Sequence, residues 1–67
     1  MICLTVNGER RRFEAPLTAA QLIASLALTG KRVALERNGE IVPRGQFHQQ
    51  PLCDGDRIEI VVAVGGG

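Results

Sequence analysis

Apolar residues alternate with polar ones near both ends of the chain, and this pattern predicts two β-strands. Ile2, Leu4 and Val6 occupy every second position of the first segment, so they share one face of a strand. Residues 57–64 repeat the pattern with Ile58, Ile60, Val62 and Val64. These two segments are the most apolar of the chain, so we expect their strands at the centre of a sheet.

Two Asn-Gly pairs predict tight hairpins, because Asn and Gly both tolerate the positive φ that a two-residue turn requires. Asn7-Gly8 joins the first strand to residues 9–14, and Asn38-Gly39 joins the strand around Leu35 to residues 40–42. The first returning strand is rich in arginine and a proline stops the second, so both suit exposed edges of the sheet.

One helix is predicted over residues 19–29. Thr18 and Gln21 have the spacing of a capping box, in which each side chain satisfies a backbone N–H at the start of the helix. Leu22, Ile23 and Leu26 form an apolar stripe, and Gly30 stands where a left-handed residue would end the helix. Residues 44–56 are predicted to form a loop with one helical turn near residues 46–49.

This order of elements predicts an α+β domain over residues 1–64, with a single sheet packed on one helix, followed by a flexible glycine tail over residues 65–67. The chain supplies no second helix for the other face of the sheet. Strand alternation assigns to that open face Cys3, Thr5, Arg57, Glu59, Val61 and Ala63.

Composition limits the function classes. The chain has 67 residues, of which 45% are apolar and 22% charged, with a formal net charge of +1. These values fit one small folded domain and favour neither disorder nor a polyanionic partner. No apolar run is long enough for a membrane span and no secretion signal is recognisable, so we expect a mature cytoplasmic protein with two reduced cysteines. Two cysteines and one histidine are too few for a tetrahedral metal site.

Several polar groups allow a functional and a structural interpretation. The arginines at positions 10–12 could contact nucleic acid, but alternation sends Arg11 to the face opposite its neighbours, so a solvated edge strand is favoured. Cys3 and Cys53 could carry a persulfide, but neither has a sequence context that favours a reactive thiolate. We interpret His48 as a polar surface residue and not as a proton carrier. We interpret Phe47 as an apolar side chain that plugs its loop and not as a binding anchor.

The chain ends in three glycines, Gly65, Gly66 and Gly67, directly after the last predicted strand. The carboxylate of Gly67 is the best candidate reactive group, because an ordinary α-carboxyl group is ionised at neutral pH and can attack the α-phosphate of ATP. Glycines without Cβ atoms can thread a narrow channel in a partner enzyme, with Gly65 adding reach. ATP and its metal must be held by that partner, since three residues span only about 10 Å.

Four segments of the chain resemble the small sulfur carriers of thiamine biosynthesis, the ThiS family. They are residues 7–14, residues 37–44, residues 54–60 and the glycine end, and the most specific of them contains Ile41-Val42-Pro43-Arg44. The resemblance implies a β-grasp (ubiquitin-like) fold, a mixed sheet of about five strands with the first and last strands parallel at its centre. It also implies that Gly67 carries sulfur as a thiocarboxylate for thiazole formation.

A carrier of this kind is a protein co-substrate and not an enzyme, and we expect it to be a monomer that binds no cofactor itself. The expected partners are an E1-like adenylyltransferase, a sulfur donor (a cysteine desulfurase or another persulfide or sulfide source) and a thiazole synthase. The candidate docking residues are Val61 and Ala63, on the uncovered face of the sheet just before the tail, and Arg44, after the Pro43 turn. The sequence leaves burial of Val61 and Ala63 open.

Three alternatives share the predicted fold. The sulfur-carrying small subunit of molybdopterin synthase has the same terminal chemistry but usually a longer chain, so length and the Ile-Val-Pro-Arg stretch favour thiamine biosynthesis. A ubiquitin-like modifier would activate the same carboxylate and form an amide with lysine. An RNA-binding β-grasp module is poorly supported by the near-neutral charge and two aromatic residues.

Overall fold

The computed structural model describes residues 1–63, which contain seven strands, one α-helix and one 3₁₀ helix. In chain order the elements are β1 Ile2–Val6, β2 Glu9–Phe13, β3 Leu17–Thr18, α1 Ala19–Ser25, β4 Val33–Arg37, β5 Glu40–Val42, the 3₁₀ helix Arg44–Gln49, β6 Pro51–Leu52 and β7 Arg57–Val62. The predicted extension of the last strand to Val64 and the predicted tail over residues 65–67 lie outside the described residues.

Five strands form a mixed sheet in the order β2-β1-β7-β4-β5. Strand β7 is central and runs parallel to β1, while every other neighbouring pair is antiparallel. The predicted placement of the first and last strands, and of the arginine-rich and proline-ended strands at the two edges, is confirmed. The sequence did not reveal the short second sheet, in which β3 pairs with β6.

Both predicted hairpins are present, and both turns have positive φ at their two central residues. The φ angles are 50° at Asn7 and 84° at Gly8, and 51° at Asn38 and 87° at Gly39. Such turns match the right-handed twist of the strands that they join, so the two Asn-Gly pairs fix the register of the outer strands.

The capping box at the start of α1 is confirmed. The Gln21 backbone N–H donates to the Thr18 hydroxyl at 3.2 Å, and the Thr18 N–H donates to the Gln21 side chain at 2.8 Å. Each side chain thus satisfies a donor that the first turn of a helix leaves unpaired.

The predicted end of α1 was wrong, because the helix stops at Ser25 and not near residue 29. Ala27 adopts φ 60°, and the Leu28 N–H turns back to donate to the Ile23 carbonyl at 3.0 Å. These are features of a Schellman motif, with an alanine where glycine is usual. Gly30, at φ 85°, belongs to the next turn. Half-buried Leu28 packs against the core, which favours the early reversal of the chain.

The hydrophobic core lies between α1 and one face of the sheet. Its fully buried large side chains are Leu4, Leu22, Leu35 and Ile58. Phe47 and Leu52 close the core from the segment 44–52, so the prediction that Phe47 plugs its loop is confirmed. Among the described residues, no helix is long and apolar enough to cross a membrane.

Candidate docking surface beside the C-terminal tail

The three predicted docking residues come together at the end of the sheet that leads to the tail. Arg44, Val61 and Ala63 line one shallow depression, which they share with three residues of β4 and its approach: Arg32, Val33 and Ala34. Val61 is 66% exposed, and Ala63 and Arg44 are also exposed. The question of burial is thus decided in favour of exposure for both Val61 and Ala63.

The depression continues along the open face of the sheet as an apolar area. Val61 lies directly opposite Ala34, and Ile41 on β5 lies opposite Glu36 of β4. Ile41 is 73% exposed while its neighbour Val42 is buried. Sequence reasoning missed Ile41 as a surface residue, although alternation with the buried Val42 could have identified it.

The rest of the open face has an acidic part and a basic part. Glu59 on β7 lies directly opposite Glu36 on β4, and both are exposed. Towards the other end of the sheet, Thr5 pairs with Arg10 on one side and with Arg57 on the other. We call these the acidic pair (Glu36 and Glu59), the basic end (Arg10, Arg12 and Arg57) and the apolar end (Ala34, Ile41, Val61 and Ala63).

Arg11 lies apart from the basic end, as alternation predicts. Its guanidinium contacts the Glu9 carboxylate at 3.3 Å, and both side chains are largely exposed. The arginine run is therefore divided between two faces, and its position on the edge strand β2 agrees with the favoured interpretation as a solvated edge.

A buried carboxylate fixes the start of β7. Asp56 is 6% exposed and accepts hydrogen bonds from Arg37 Nε at 2.6 Å, from Asn38 Nδ2 at 3.0 Å and from the Cys53 backbone N–H at 2.8 Å. Burial alone would raise the pKa of Asp56, but these hydrogen bonds and the charge of Arg37 outweigh it and lower that pKa. The sequence indicated only a turn here, since nothing local marks Arg37 as the partner.

A second asparagine, from the first hairpin turn, continues the pairing of β7 where β1 ends. The Asn7 side chain donates from Nδ2 to the Ile60 carbonyl at 3.1 Å, and its Oδ1 accepts from the Ile60 N–H at 2.7 Å. At the far end of β7, the Ala63 N–H donates to the Arg32 carbonyl at 2.9 Å. The strand is therefore held as far as Ile60 on the β1 side and as far as Ala63, the last described residue, on the β4 side.

The other candidate groups do not line this depression. Cys3 and Cys53 are free thiols, as expected, with Cys3 half-buried and Cys53 exposed. His48 is exposed and, with Lys31 and Arg44, borders an open groove of about 450 Å³ between α1 and the 3₁₀ helix. Within residues 1–63, no group of three His, Cys, Asp or Glu side chains is arranged to hold a metal ion.

Comparison with known proteins identifies the family. Residues 4–67 match the model of the ThiS family. The chain belongs to the ThiS family. It is 43% identical over 65 residues to the sulfur carrier protein ThiS of Bacillus subtilis, a match that covers 96% of this chain and 98% of that protein.

The fold of this ThiS-family chain agrees with a solved relative. The crystal structure of the thiamine biosynthesis protein ThiS from Geobacter metallireducens superposes with a TM-score of 0.81 at 32% identity, covering 98% of this chain and all of that one. The fold is therefore the predicted β-grasp, with a mixed five-stranded sheet and one α-helix.

A further relative is much longer. The thiazole synthase of Paramagnetospirillum magneticum is 45% identical over 64 residues, which is 96% of this chain but 20% of that protein. This chain therefore spans about a fifth of the length of that relative.

Proposed function

We propose that this ThiS-family chain carries sulfur for thiamine biosynthesis on the terminal carboxylate of Gly67. The observation that carries the proposal is the match to the ThiS family model, which runs from residue 4 to residue 67 and so includes the glycine end. The described structure adds support, because it presents an exposed apolar surface beside the point where that end begins.

The chemistry takes two steps on the same carbon. A carboxylate oxygen of Gly67 attacks the α-phosphorus of ATP, and pyrophosphate leaves, which gives an acyl-adenylate. Sulfide then attacks the carbonyl carbon and AMP leaves, so that the chain ends in a thiocarboxylate. When the donor is a persulfide, the first product is an acyl disulfide, and a thiol must reduce its S–S bond to release the same thiocarboxylate.

The catalytic groups for these steps belong to partner enzymes. The sequence contains no phosphate-binding glycine loop leading into a helix, and any three residues span at most about 10 Å. An E1-like adenylyltransferase would hold ATP and its metal, and a cysteine desulfurase or another persulfide or sulfide source would supply sulfur. We expect these reactions to occur in the cytoplasm, with this chain as a monomeric co-substrate.

Rigidity at the base of the tail supports this role. Asp56 and Asn38 fix the start of β7, and Asn7 holds it near Ile60. A partner that docks on Val61, Ala63 and Arg44 would therefore bind beside a strand whose orientation is fixed by hydrogen bonds. Preorganisation of this kind reduces the entropy lost when the complex forms.

A thiazole synthase is the proposed consumer of the sulfur. The thiazole synthase of P. magneticum contains a segment 45% identical to this chain, which supports a functional link between the two kinds of protein.

Intact-mass spectrometry tests the proposal directly. The purified chain is incubated with ATP, sulfide and the E1-like adenylyltransferase from the same genome. We expect a mass increase equal to the replacement of one oxygen by sulfur, and loss of that increase when thiazole synthase and its other substrates are added. A reaction without ATP is the control, because a mass increase that does not require ATP cannot come from the acyl-adenylate.

Variants of the tail locate the reaction. Deletion of Gly67, or addition of one residue after it, should abolish the mass increase. Gly65→Ala, one residue further from the carboxylate than Gly66→Ala, should retain more of the mass increase than Gly66→Ala. Conjugation to lysine side chains in place of the sulfur adduct would identify a ubiquitin-like modifier. A thiocarboxylate that thiazole synthase does not consume would point to another acceptor, such as molybdopterin synthase. No change of mass under any condition would refute the carrier function.

A further inference from the structure

We propose that the adenylating enzyme which docks on the open face of the sheet places a cationic side chain, arginine or lysine, between Glu36 and Glu59. This inference rests on the proposed function and adds the chemistry by which the partner recognises the sheet. It is carried by the acidic pair and by the exposed apolar residues that border it.

The strand register places two like charges against each other. Glu36 and Glu59 are directly opposite in the antiparallel pair β4–β7, an arrangement that lowers the stability of a sheet. The ion pairs among residues 1–63 are Arg11 with Glu9 and Arg37 with Asp56, so neither glutamate of the acidic pair has a cation there. Arg57, the next residue on the same face of β7, is about 7 Å from Glu59 along the strand.

Apolar side chains border the acidic pair on two sides. Ile41 lies beside Glu36 across the β4–β5 pair, and Val61 follows Glu59 by two residues on the same face of β7. Three large apolar side chains are strongly exposed in residues 1–63, and these are two of them. Both therefore lie on one face, close to the same two carboxylates.

Covering the apolar residues also removes water from the carboxylates. Glu36 adjoins Ile41 across the β4–β5 pair and Glu59 adjoins Val61 along β7, so a partner surface that packs on both apolar side chains also covers the two carboxylates. Burial of two like charges without a counter-ion is strongly unfavourable, so a tight complex requires a cation from the partner at this point. A guanidinium suits the position best, because its fork of N–H donors can bind both carboxylates.

A second copy of this chain fits the face less well. The basic end could reach the acidic pair of another copy in an antiparallel face-to-face contact. The apolar end of each copy would then lie against the arginines of the other, and its side chains would lack an apolar counterpart. A different protein, with apolar and cationic groups adjacent, is the better match.

The test compares two double variants with the same change of charge. Glu36→Gln combined with Glu59→Gln removes the acidic pair. Glu9→Gln combined with Glu40→Gln removes two exposed carboxylates on strand positions that face away from the open surface. For each protein, the Kd for the E1-like adenylyltransferase is measured by calorimetry at low and high salt, and stability is measured by urea unfolding.

We expect the acidic-pair variant to bind the enzyme about tenfold more weakly than wild type, with a smaller dependence on salt. The same variant should unfold at higher urea concentration, because the repulsion between strands is relieved. The control variant should stay within about twofold of the wild-type Kd. At saturating enzyme, the acidic-pair variant should still be converted to the thiocarboxylate.

Equal or tighter binding by the acidic-pair variant would overturn the inference while leaving the carrier function intact. A wild-type dimer in sedimentation experiments that the acidic-pair variant abolishes would assign the face to a second copy and also overturn it. If wild type binds the enzyme but is never converted to the thiocarboxylate, the carrier function is refuted. The comparison of Kd values then still tests the contact between the acidic pair and a cation of the enzyme. If wild type neither binds nor is converted, both proposals fall.

Discussion

Arg37 on β4 and Asp56, one residue before β7, form an ion pair in which Nε lies 2.6 Å from Oδ2. The carboxylate is almost completely buried, while the Arg37 side chain keeps 30% of its exposure. Replacement of Asp56 by Asn retains the shape but removes the charge and an acceptor for Arg37. We expect Asp56→Asn to lower the free energy of unfolding by about 2–3 kcal/mol, because Arg37 and the Cys53 N–H lose a charged acceptor.

Urea unfolding at pH 7 measures this effect, and Asp54→Asn is the matched control. Asp54 is exposed and accepts one hydrogen bond, from the Cys3 N–H at 2.7 Å, which an asparagine oxygen can replace. The control should cost less than about 1 kcal/mol. Equal losses for the two variants would show that Asp56 has no special role in anchoring β7.

The same carboxylate predicts a loss of stability in acid. Its pKa is lower in the folded chain than in the unfolded chain, where an aspartate titrates at about 3.9. The unfolded state therefore takes up the proton first as the pH falls, so the contribution of Asp56 is complete well above that value. It decreases as the pH falls further, until the folded carboxyl is also protonated.

The difference in unfolding free energy between wild type and Asp56→Asn isolates this contribution, because the other carboxyl groups are common to both proteins. We expect the difference to be constant from about pH 6 to 7 and to shrink below about pH 4. A difference that does not depend on pH would contradict the lowered pKa.

Ala27 gives a prediction of the opposite sign. It has φ 60°, a conformation that costs an L-residue about 1 kcal/mol and glycine little. Ala27→Gly should therefore raise the free energy of unfolding by about 0.5–1 kcal/mol, which shifts the melting temperature upward by several degrees. Ala24→Gly, three residues earlier and exposed within α1, should lower it by about 1 kcal/mol. A loss of stability in both variants would exclude the left-handed conformation of Ala27 in solution.

The elements that the sequence predicted correctly depend on local signals. Alternation identified β1 and β7, the two Asn-Gly pairs identified the hairpins, and Thr18 with Gln21 marked the start of α1. Each signal lies within a few consecutive residues, so it can be recognised without knowledge of the tertiary contacts. The edge positions of β2 and β5 followed from arginine and proline for the same reason.

The features that the sequence did not predict depend on distant partners. Asp56 was interpreted as a turn residue, because Arg37 and Asn38 become its partners only when β4 and β7 pair. Asn7 was recognised for its backbone, but its bonds to Ile60 span more than fifty residues. The end of α1 was missed because the packing of Leu28, and not a glycine, decides where the chain reverses.

The docking residues were predictable from the sequence only in part. Alternation placed Val61 on the face without a helix, but only the register of β4, β5 and β7 brings Arg44, Ile41 and the acidic pair to the same surface. The sequence alone therefore could suggest a contact residue but not the composition of the surface around it.

Val61 provides the most direct test of that surface. Its side chain is 66% exposed, so Val61→Asp should change the free energy of unfolding by less than about 1 kcal/mol. Ile60, its neighbour, is buried in the core, and Ile60→Asp should unfold the domain because a charge would be placed without a partner in an apolar environment. If the open face binds the adenylating enzyme, Val61→Asp weakens that binding by about tenfold or more, measured as the Kd for a folded protein. Unchanged affinity in a folded Val61→Asp variant would remove this face from the interface.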